Sequence, residues 1–199
     1  MPVDLTDLFA GQRVMAILRG MSEQTTVELA NRAWDLGIDL VEVPIQSPDA
    51  LPALRAAVAA GRSRGRPVGA GTVTTPARVA AAAEAGAAFT VAPGFDGEVL
   101  AASLAAGLPH LPGVATPSEI QQALRHGVTW LKAFPASVLG TAWFAAMRGP
   151  FPEANLVATG GVSAHDAADY LAAGARAVAV GSALADPSQW KRLAEIVGG

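Results

Sequence analysis

The chain has 199 residues, 51% of them hydrophobic, which suits a single domain with a large buried core. Its net charge of −3 and lack of a basic stretch argue against nucleic acid and anionic membrane surfaces as partners. The absence of cysteine excludes disulfides and thiolate metal sites. No apolar run reaches the roughly 18 residues of a membrane helix. Because the amino terminus also lacks the pattern of a secretion signal, a cytoplasmic location is expected.

A short leading helix is predicted over residues 4–10, and after it one unit recurs along the chain. Each unit is an apolar, strand-like run followed by a segment with helical periodicity. The predicted strands cover 14–20, 40–45, 67–73, 89–94, 110–115, 130–134, 156–161 and 177–182. The predicted helices cover 23–36, 49–60, 76–85, 96–106, 117–126, 138–148, 164–173 and 188–197.

Several of the predicted helices are followed by a glycine, which readily takes the left-handed conformation that ends a helix. These glycines are Gly37, Gly86, Gly107, Gly127 and Gly174. Eight strand–helix units in succession predict a (β/α)₈ barrel, the TIM-barrel fold, as one domain over 1–199. An open doubly wound sheet is the alternative, but the first strand ends in LRGMSEQ and lacks the expected G-x-G-x-x-G turn.

Three charged residues lie within the predicted strands or at their tips: Arg19, Glu42 and Lys132. In LVEVPI, alternation places Glu42 on the face opposite Val41 and Val43, and therefore inside the barrel. Lys132 is also assigned to the interior, because the other face would bury its charge under helices. Buried charges are costly unless they meet each other or a ligand. A purely structural ion pair is the alternative to a functional site.

A lysine in such a setting has a definite chemistry. An amine removed from water holds its proton less tightly, and a neutral amine attacks a ketone to form a Schiff base. The protonated imine accepts electrons when a carbon–carbon bond two atoms away breaks, and the reaction needs a proton shuttle. Lys132 is therefore predicted to be the Schiff-base nucleophile, and Glu42 the general acid and base.

The ends of the last two predicted strands have small residues that let backbone N–H groups approach a phosphate. These residues are Gly160, Gly161, Gly181 and Ser182. Arg19 is predicted to bind a carboxylate, with a salt bridge at the rim as the alternative. Thr72 is predicted to present its hydroxyl to the ligand, or else only to cap its strand.

Seven segments carry a resemblance to a known family: AILRG, VEVPIQSPDA, VGAGTV, VAPG, PGVATPSE, LKAFPAS and TGGV, in this order. Together they resemble the 2-keto-3-deoxy-6-phosphogluconate and -phosphogalactonate aldolases. The resemblance implies a class I, Schiff-base aldolase that forms pyruvate and glyceraldehyde 3-phosphate. It also implies a homotrimer that needs no metal and no other cofactor.

The resemblance extends to individual residues. The Schiff-base lysine of the family falls on Lys132 and its acid/base glutamate on Glu42. Its pyruvate pocket falls on Thr72, Pro93 and Phe134. Its phosphate site falls on Gly160, Gly161 and Ser182.

The resemblance also bears on which epimer of the phosphorylated 2-keto-3-deoxy sugar acid is the substrate. Gluconate-type members have an arginine where this chain has Gln46, in PIQSP. Galactonate-type members have a similar P-L-N-S-P segment and an arginine that corresponds to Arg19. Thr159 instead resembles the gluconate type. The balance favours 2-dehydro-3-deoxy-6-phosphogalactonate, with the gluconate epimer or dual specificity as the alternative.

Three other classes of protein are alternatives to this aldolase. A metal-dependent aldolase needs a cluster of ligands, whereas His110, His126 and His165 fall at separate places in the predicted barrel. A sugar-phosphate isomerase or epimerase would share the phosphate loops but have no use for an imine-forming lysine. A non-catalytic barrel that binds phosphorylated ligands would use the Lys132–Glu42 pair only structurally.

Overall fold

The computed structural model describes residues 4–198, and its strands form one parallel sheet of nine segments. The segments are β1 (Val14–Ile17), β2 (Leu40–Pro44), β3 (Val68–Gly71), β4 (Thr90–Val91), β5 (His110–Leu111), β6 (Gly113–Val114), β7 (Trp130–Ala133), β8 (Asn155–Thr159) and β9 (Ala177–Val180). Their order across the sheet is β5-β4-β3-β2-β1-β9-β8-β7-β6.

The fifth predicted strand is divided at Pro112 into β5 and β6. β5 pairs with β4, and β6 pairs with β7, so the two halves of this strand join the two ends of the sheet. Pro112 has no N–H to donate to the ladder, although its carbonyl accepts a hydrogen bond from Lys132 N at 2.8 Å. The predicted (β/α)₈ barrel is confirmed, with one of its eight strands in two segments.

Helices precede the first strand, connect successive strands and follow the last strand. They are α1 (Leu5–Leu8), α2 (Glu23–Asp35), α3 (Leu51–Arg64), α4 (Pro76–Glu84), α5 (Gly97–Ala105), α6 (Pro117–Arg125), α7 (Ala136–Met147), α8 (Ala167–Ala172), α9 (Ser182–Ala185) and α10 (Trp190–Gly198). The five helix-ending glycines have φ angles from 73° to 111°, as the sequence predicts. Within residues 4–198, no helix combines the length and apolarity that a membrane crossing requires.

Several boundaries differ from the sequence-based prediction. The segment predicted as one helix over 188–197 is a 3₁₀ turn at Pro187–Gln189 followed by α10. The extra short helix α9 precedes it, directly after the last strand, where no helix was predicted. α3 begins at Leu51 after a separate 3₁₀ turn at Pro48–Ala50. Proline fixes its own backbone angle and favours the start of a helical turn, which explains why both segments begin with a proline.

An apolar plug fills the amino-terminal half of the barrel. Its members include Met15, Leu40, Phe89, Leu111, Trp130 and Val157. α1 closes this end, because Leu5 and Phe9 belong to the same cluster and the Phe9 ring stacks on Trp130 at 4.5 Å. Trp130 Nε1 donates to Thr6 Oγ1 at 3.3 Å, which satisfies the indole N–H. Glu42 and Lys132 come two residues after Leu40 and Trp130 of this plug, and therefore lie on its carboxyl-terminal side.

A buried polar cluster lies between β4, β5 and α5, away from that interior. The His110 Nδ1 atom is 2.8 Å from Thr90 Oγ1, and the Thr90 hydroxyl also donates to Ser103 Oγ at 2.9 Å. His110 Nε2 has no hydrogen-bond partner in the described part of the chain. Burial lowers the pKa of His110 to about 4, against a smaller opposing effect of the Asp96 charge.

This histidine predicts a loss of stability in mild acid. Between pH 6.5 and pH 4 the unfolded chain protonates His110 and the folded protein does not, so the free energy of unfolding falls as pH falls. The contribution is on the order of 3 kcal/mol across that window. Urea unfolding of His110→Asn at pH 7 and pH 5 should show a smaller fall than the wild type. The exposed His126→Asn serves as control, and equal falls in all three proteins would contradict the prediction.

Candidate active site

A buried ion pair spans the barrel interior above the apolar plug. Lys132 on β7 and Glu42 on β2 are 2% and 0% exposed, and Nζ lies 3.7 Å from Oε1. Both side chains point inward, as alternation predicts for Glu42 and as the cost of burying a charge under helices predicts for Lys132. Within residues 4–198, neither carboxylate oxygen of Glu42 has a hydrogen-bond partner. Buried carboxylates normally accept several hydrogen bonds, so this one has acceptor capacity left for a ligand.

The room around Glu42 depends on a glycine that the sequence analysis did not single out. A Cβ atom on Gly71, in the adjacent strand β3, would overlap the Glu42 carboxylate. Glycine is unfavourable inside a strand unless another group must come close to the backbone. Gly71 lies inside the apolar strand segment VGAG, so the sequence alone could have indicated that another group comes close to the backbone there.

The three residues predicted for the pyruvate pocket follow the carboxyl ends of strands, and Phe134 lies beside the pair. Lys132 Nζ lies 5.4 Å from the centroid of the Phe134 ring. Thr72 directly follows β3 and has a φ of 59°, in the left-handed region. Pro93 follows β4, and its carbonyl lies so close to Gly113 that a side chain there would overlap it.

A cavity of about 550 Å³ opens above the barrel. It brings together seven of the predicted site residues: Arg19, Phe134, Thr159, Gly160, Gly161, Gly181 and Ser182. Gly160 and Gly161 have φ angles of 94° and 73°, and a Cβ on Gly160 would crowd the Phe134 ring at 2.9 Å. Small residues at these positions leave backbone and hydroxyl groups accessible to a ligand.

The remaining predicted residues do not line this cavity. Gln46 instead borders a smaller cavity of about 240 Å³, together with Ser47 and Asp49. Lys132 pairs in register with Val157, two residues below Thr159, so its amine lies one layer deeper than the cavity. Lys132 is almost fully covered, and Phe134, whose ring lies next to its amine, also lines the cavity.

An arginine lines one side of the cavity. Arg19 is exposed at the end of β1 and faces the same space as the four small residues of the last two strand ends. The Thr159 hydroxyl donates to Val157 O at 3.2 Å, so its oxygen is left as an acceptor. A guanidinium and backbone N–H groups around one space suit an anionic ligand.

A parallel (β/α)₈ barrel with a buried lysine beside a carboxylate has the architecture of a lysine-dependent aldolase. The family model for "KDPG and KHG aldolase" matches residues 6–197. The chain belongs to this family, and it is accordingly a carbon–carbon lyase.

Two relatives of the chain are named for two different epimeric compounds. The probable 2-dehydro-3-deoxy-6-phosphogalactonate aldolase of Rhizobium meliloti is 36% identical, over 87% of this chain and 82% of the relative. The 2-dehydro-3-deoxy-phosphogluconate aldolase of Pseudomonas aeruginosa is 40% identical, over 80% and 72%.

A solved structure is similar over almost the whole chain. The KDPG aldolase of Legionella pneumophila has a TM-score of 0.85 and 28% identity, covering 99% of this chain and 98% of that one. That enzyme holds pyruvate captured at low pH as a covalent carbinolamine.

Proposed function

We propose that the protein cleaves 2-dehydro-3-deoxy-6-phosphogalactonate to pyruvate and D-glyceraldehyde 3-phosphate through a Schiff base on Lys132. The observation that carries this proposal is the buried pair of Lys132 Nζ and Glu42 Oε1, 3.7 Å apart inside the barrel. A pair with a purely structural role would be no more stabilising than apolar residues of the same size. The covalent pyruvate adduct of the Legionella relative supports the same chemistry here.

The proposed reaction follows from these two groups. The Lys132 amine attacks the C2 ketone, water leaves, and a protonated imine forms. Glu42 takes the proton of the C4 hydroxyl, the C3–C4 bond breaks, and its electron pair moves into the imine to give an enamine. The aldehyde product leaves. The enamine carbon is then protonated, and water hydrolyses the imine to release pyruvate and the free amine.

The proposed binding site divides between two regions. The pyruvate portion lies near Lys132, with Thr72, Pro93 and Phe134 around it. The phosphate lies in the 550 Å³ cavity, on the backbone of Gly160 and Gly161. Gly181 and Ser182 complete the phosphate site, and Arg19 contacts the phosphate or the carboxylate. Cavities of several hundred Å³ suit ligands of this size.

The preference for the galactonate epimer is supported by two residues. Gln46 stands where gluconate-type members have an arginine, which removes one carboxylate ligand expected for that type. Arg19 matches the strand of galactonate-type members and lines the cavity. Thr159 is the feature that favours the alternative, a 2-dehydro-3-deoxy-6-phosphogluconate aldolase or an enzyme that accepts both epimers.

Cleavage of the two epimeric phospho-sugar acids, measured side by side by pyruvate release, tests the proposal. We expect kcat/KM to be about tenfold higher for the galactonate epimer, the effect of one hydrogen bond. A higher value for the gluconate epimer would favour the alternative, and similar values would indicate dual specificity. Failure to cleave either acid would reject the proposed function and leave an isomerase, an epimerase or a binding protein.

We also propose that the whole chain acts as one barrel domain and works in the cytoplasm as a homotrimer. Residues 1–3 and 199 of that domain lie outside the described part of the chain. The resemblance to the aldolase family supports the assembly. Light scattering would measure the mass of the particle against the 20.1 kDa of one chain, and a monomeric or dimeric mass would reject the trimer.

A further inference from the structure

We propose that Arg78 is a positioning residue that holds two loops near Glu42: the loop after β2, the strand that carries Glu42, and the loop after the neighbouring strand β3. Arg78 lies in the first turn of α4 and is half-buried. None of the sequence motifs that carry the family resemblance includes Arg78. We call the contacts of Arg78 with these two loops the clamp. Whether the clamp holds the loops is independent of the proposed function, whereas its effect on catalysis rests on that function.

The guanidinium of Arg78 joins two loops that follow neighbouring strands. Nη2 donates to Gln46 O, after β2, at 2.7 Å. Nη1 donates to Thr72 O, after β3, at 3.3 Å and to Thr74 Oγ1 at 2.5 Å. The planar, rigid fork of an arginine can hold two acceptors at once, which the single ammonium of lysine does less well. With its donors used in this way, Arg78 braces the protein rather than facing the cavity.

One of the two loops needs such a brace. Within residues 4–198, Thr72 is the one residue other than glycine with a positive φ, 59°. This conformation is unfavourable for a β-branched side chain. Strained residues persist where the surrounding contacts fix them, and they cluster at functional sites. The peptide unit that follows Thr72 is held at both of its polar groups: Val73 N donates to Val91 O at 3.0 Å, and Arg78 donates to Thr72 O.

The braced loops connect directly to the acid/base group. Ile45 N donates to Gly71 O at 2.8 Å, and Gly71 is the glycine that makes room for the Glu42 carboxylate. Thr72 is the next residue. Loss of the guanidinium would let Thr72 relax towards an ordinary backbone conformation, which would shift the adjacent Gly71 relative to Glu42. The clamp therefore sets the position of the carboxylate relative to Lys132.

Amide hydrogen exchange tests the clamp without reference to activity. In Arg78→Ala we expect exchange about tenfold faster than in the wild type for residues 45–47 and 72–75, with Arg78→Lys in between. Arg55→Ala is the matched control, because Arg55 is exposed on α3 and forms a salt bridge with the exposed Glu84 at 3.6 Å. Unchanged exchange in both Arg78 variants, or equal increases in Arg55→Ala, would overturn the clamp.

Kinetics then test the positioning role. We expect kcat of Arg78→Ala to fall about 10- to 100-fold while KM changes little, and added guanidinium ion, but not ethylammonium, to restore part of it. Wild-type kcat in Arg78→Ala, despite faster loop exchange, would overturn the positioning role. Absence of pyruvate trapping by borohydride in the wild type would instead refute the proposed function, and the exchange result would still decide whether Arg78 holds the loops.

Discussion

Replacing Lys132 with arginine is expected to abolish aldol cleavage and reductive trapping of pyruvate, while the protein stays folded. Arginine keeps a cation beside Glu42, so the buried carboxylate is not left without a counter-charge. A guanidinium is effectively always protonated and does not form the imine. Losing the covalent route should lower kcat on the order of 10⁴- to 10⁶-fold. Pyruvate release from the phospho-sugar acids measures the cleavage.

The small number of lysines makes the result of the trapping experiment easy to assign to one residue. The chain has two lysines, Lys132 and the exposed Lys191. Borohydride reduction with pyruvate should therefore add a three-carbon unit to the peptide that contains Lys132, in the wild type and in Lys191→Arg alike. Modification of Lys191 alone, or activity that survives in Lys132→Arg, would refute the Schiff-base mechanism. Urea unfolding would show that both variants are folded.

Much of the barrel interior was predictable because a strand has a strict two-residue period. That period placed Glu42 inside from LVEVPI alone. Lys132 needed the additional argument that a charge is not buried under helices. The break at Pro112 also had a local cause, since a proline cannot donate to the ladder of a central strand. The prediction of one continuous fifth strand therefore underused a residue that was visible in the sequence.

Other features of the site depend on contacts between distant segments. Placing Lys132 inside the barrel does not give its depth, because the depth depends on the register and tilt of the strands. The sequence therefore did not indicate that the amine lies almost fully buried beside the Phe134 ring. Nor does any local pattern predict the left-handed Thr72, because its conformation is fixed by Arg78, six residues later, and by Val91 on the next strand.

The second large effect is expected for Glu42→Gln, which keeps the shape of the side chain and removes its ability to take a proton. Proton transfer by a positioned side chain contributes about 10²- to 10⁴-fold, and kcat for cleavage should fall by that factor. Imine formation needs the Lys132 amine rather than the carboxylate, so pyruvate trapping should decline much less. Exchange of the pyruvate methyl protons in D₂O, followed by NMR, reports the proton transfer without the aldehyde.

The two readouts distinguish an acid/base role from a positioning role. If Glu42 only orients Lys132, then Glu42→Gln should slow trapping and methyl-proton exchange by the same factor. If Glu42 transfers the proton, methyl-proton exchange should fall much further than trapping. Glu84→Gln is the matched control, because it makes the same change at an exposed position. The orphaned carboxylate oxygens favour the second outcome, since a group held only for structure would have its acceptors satisfied.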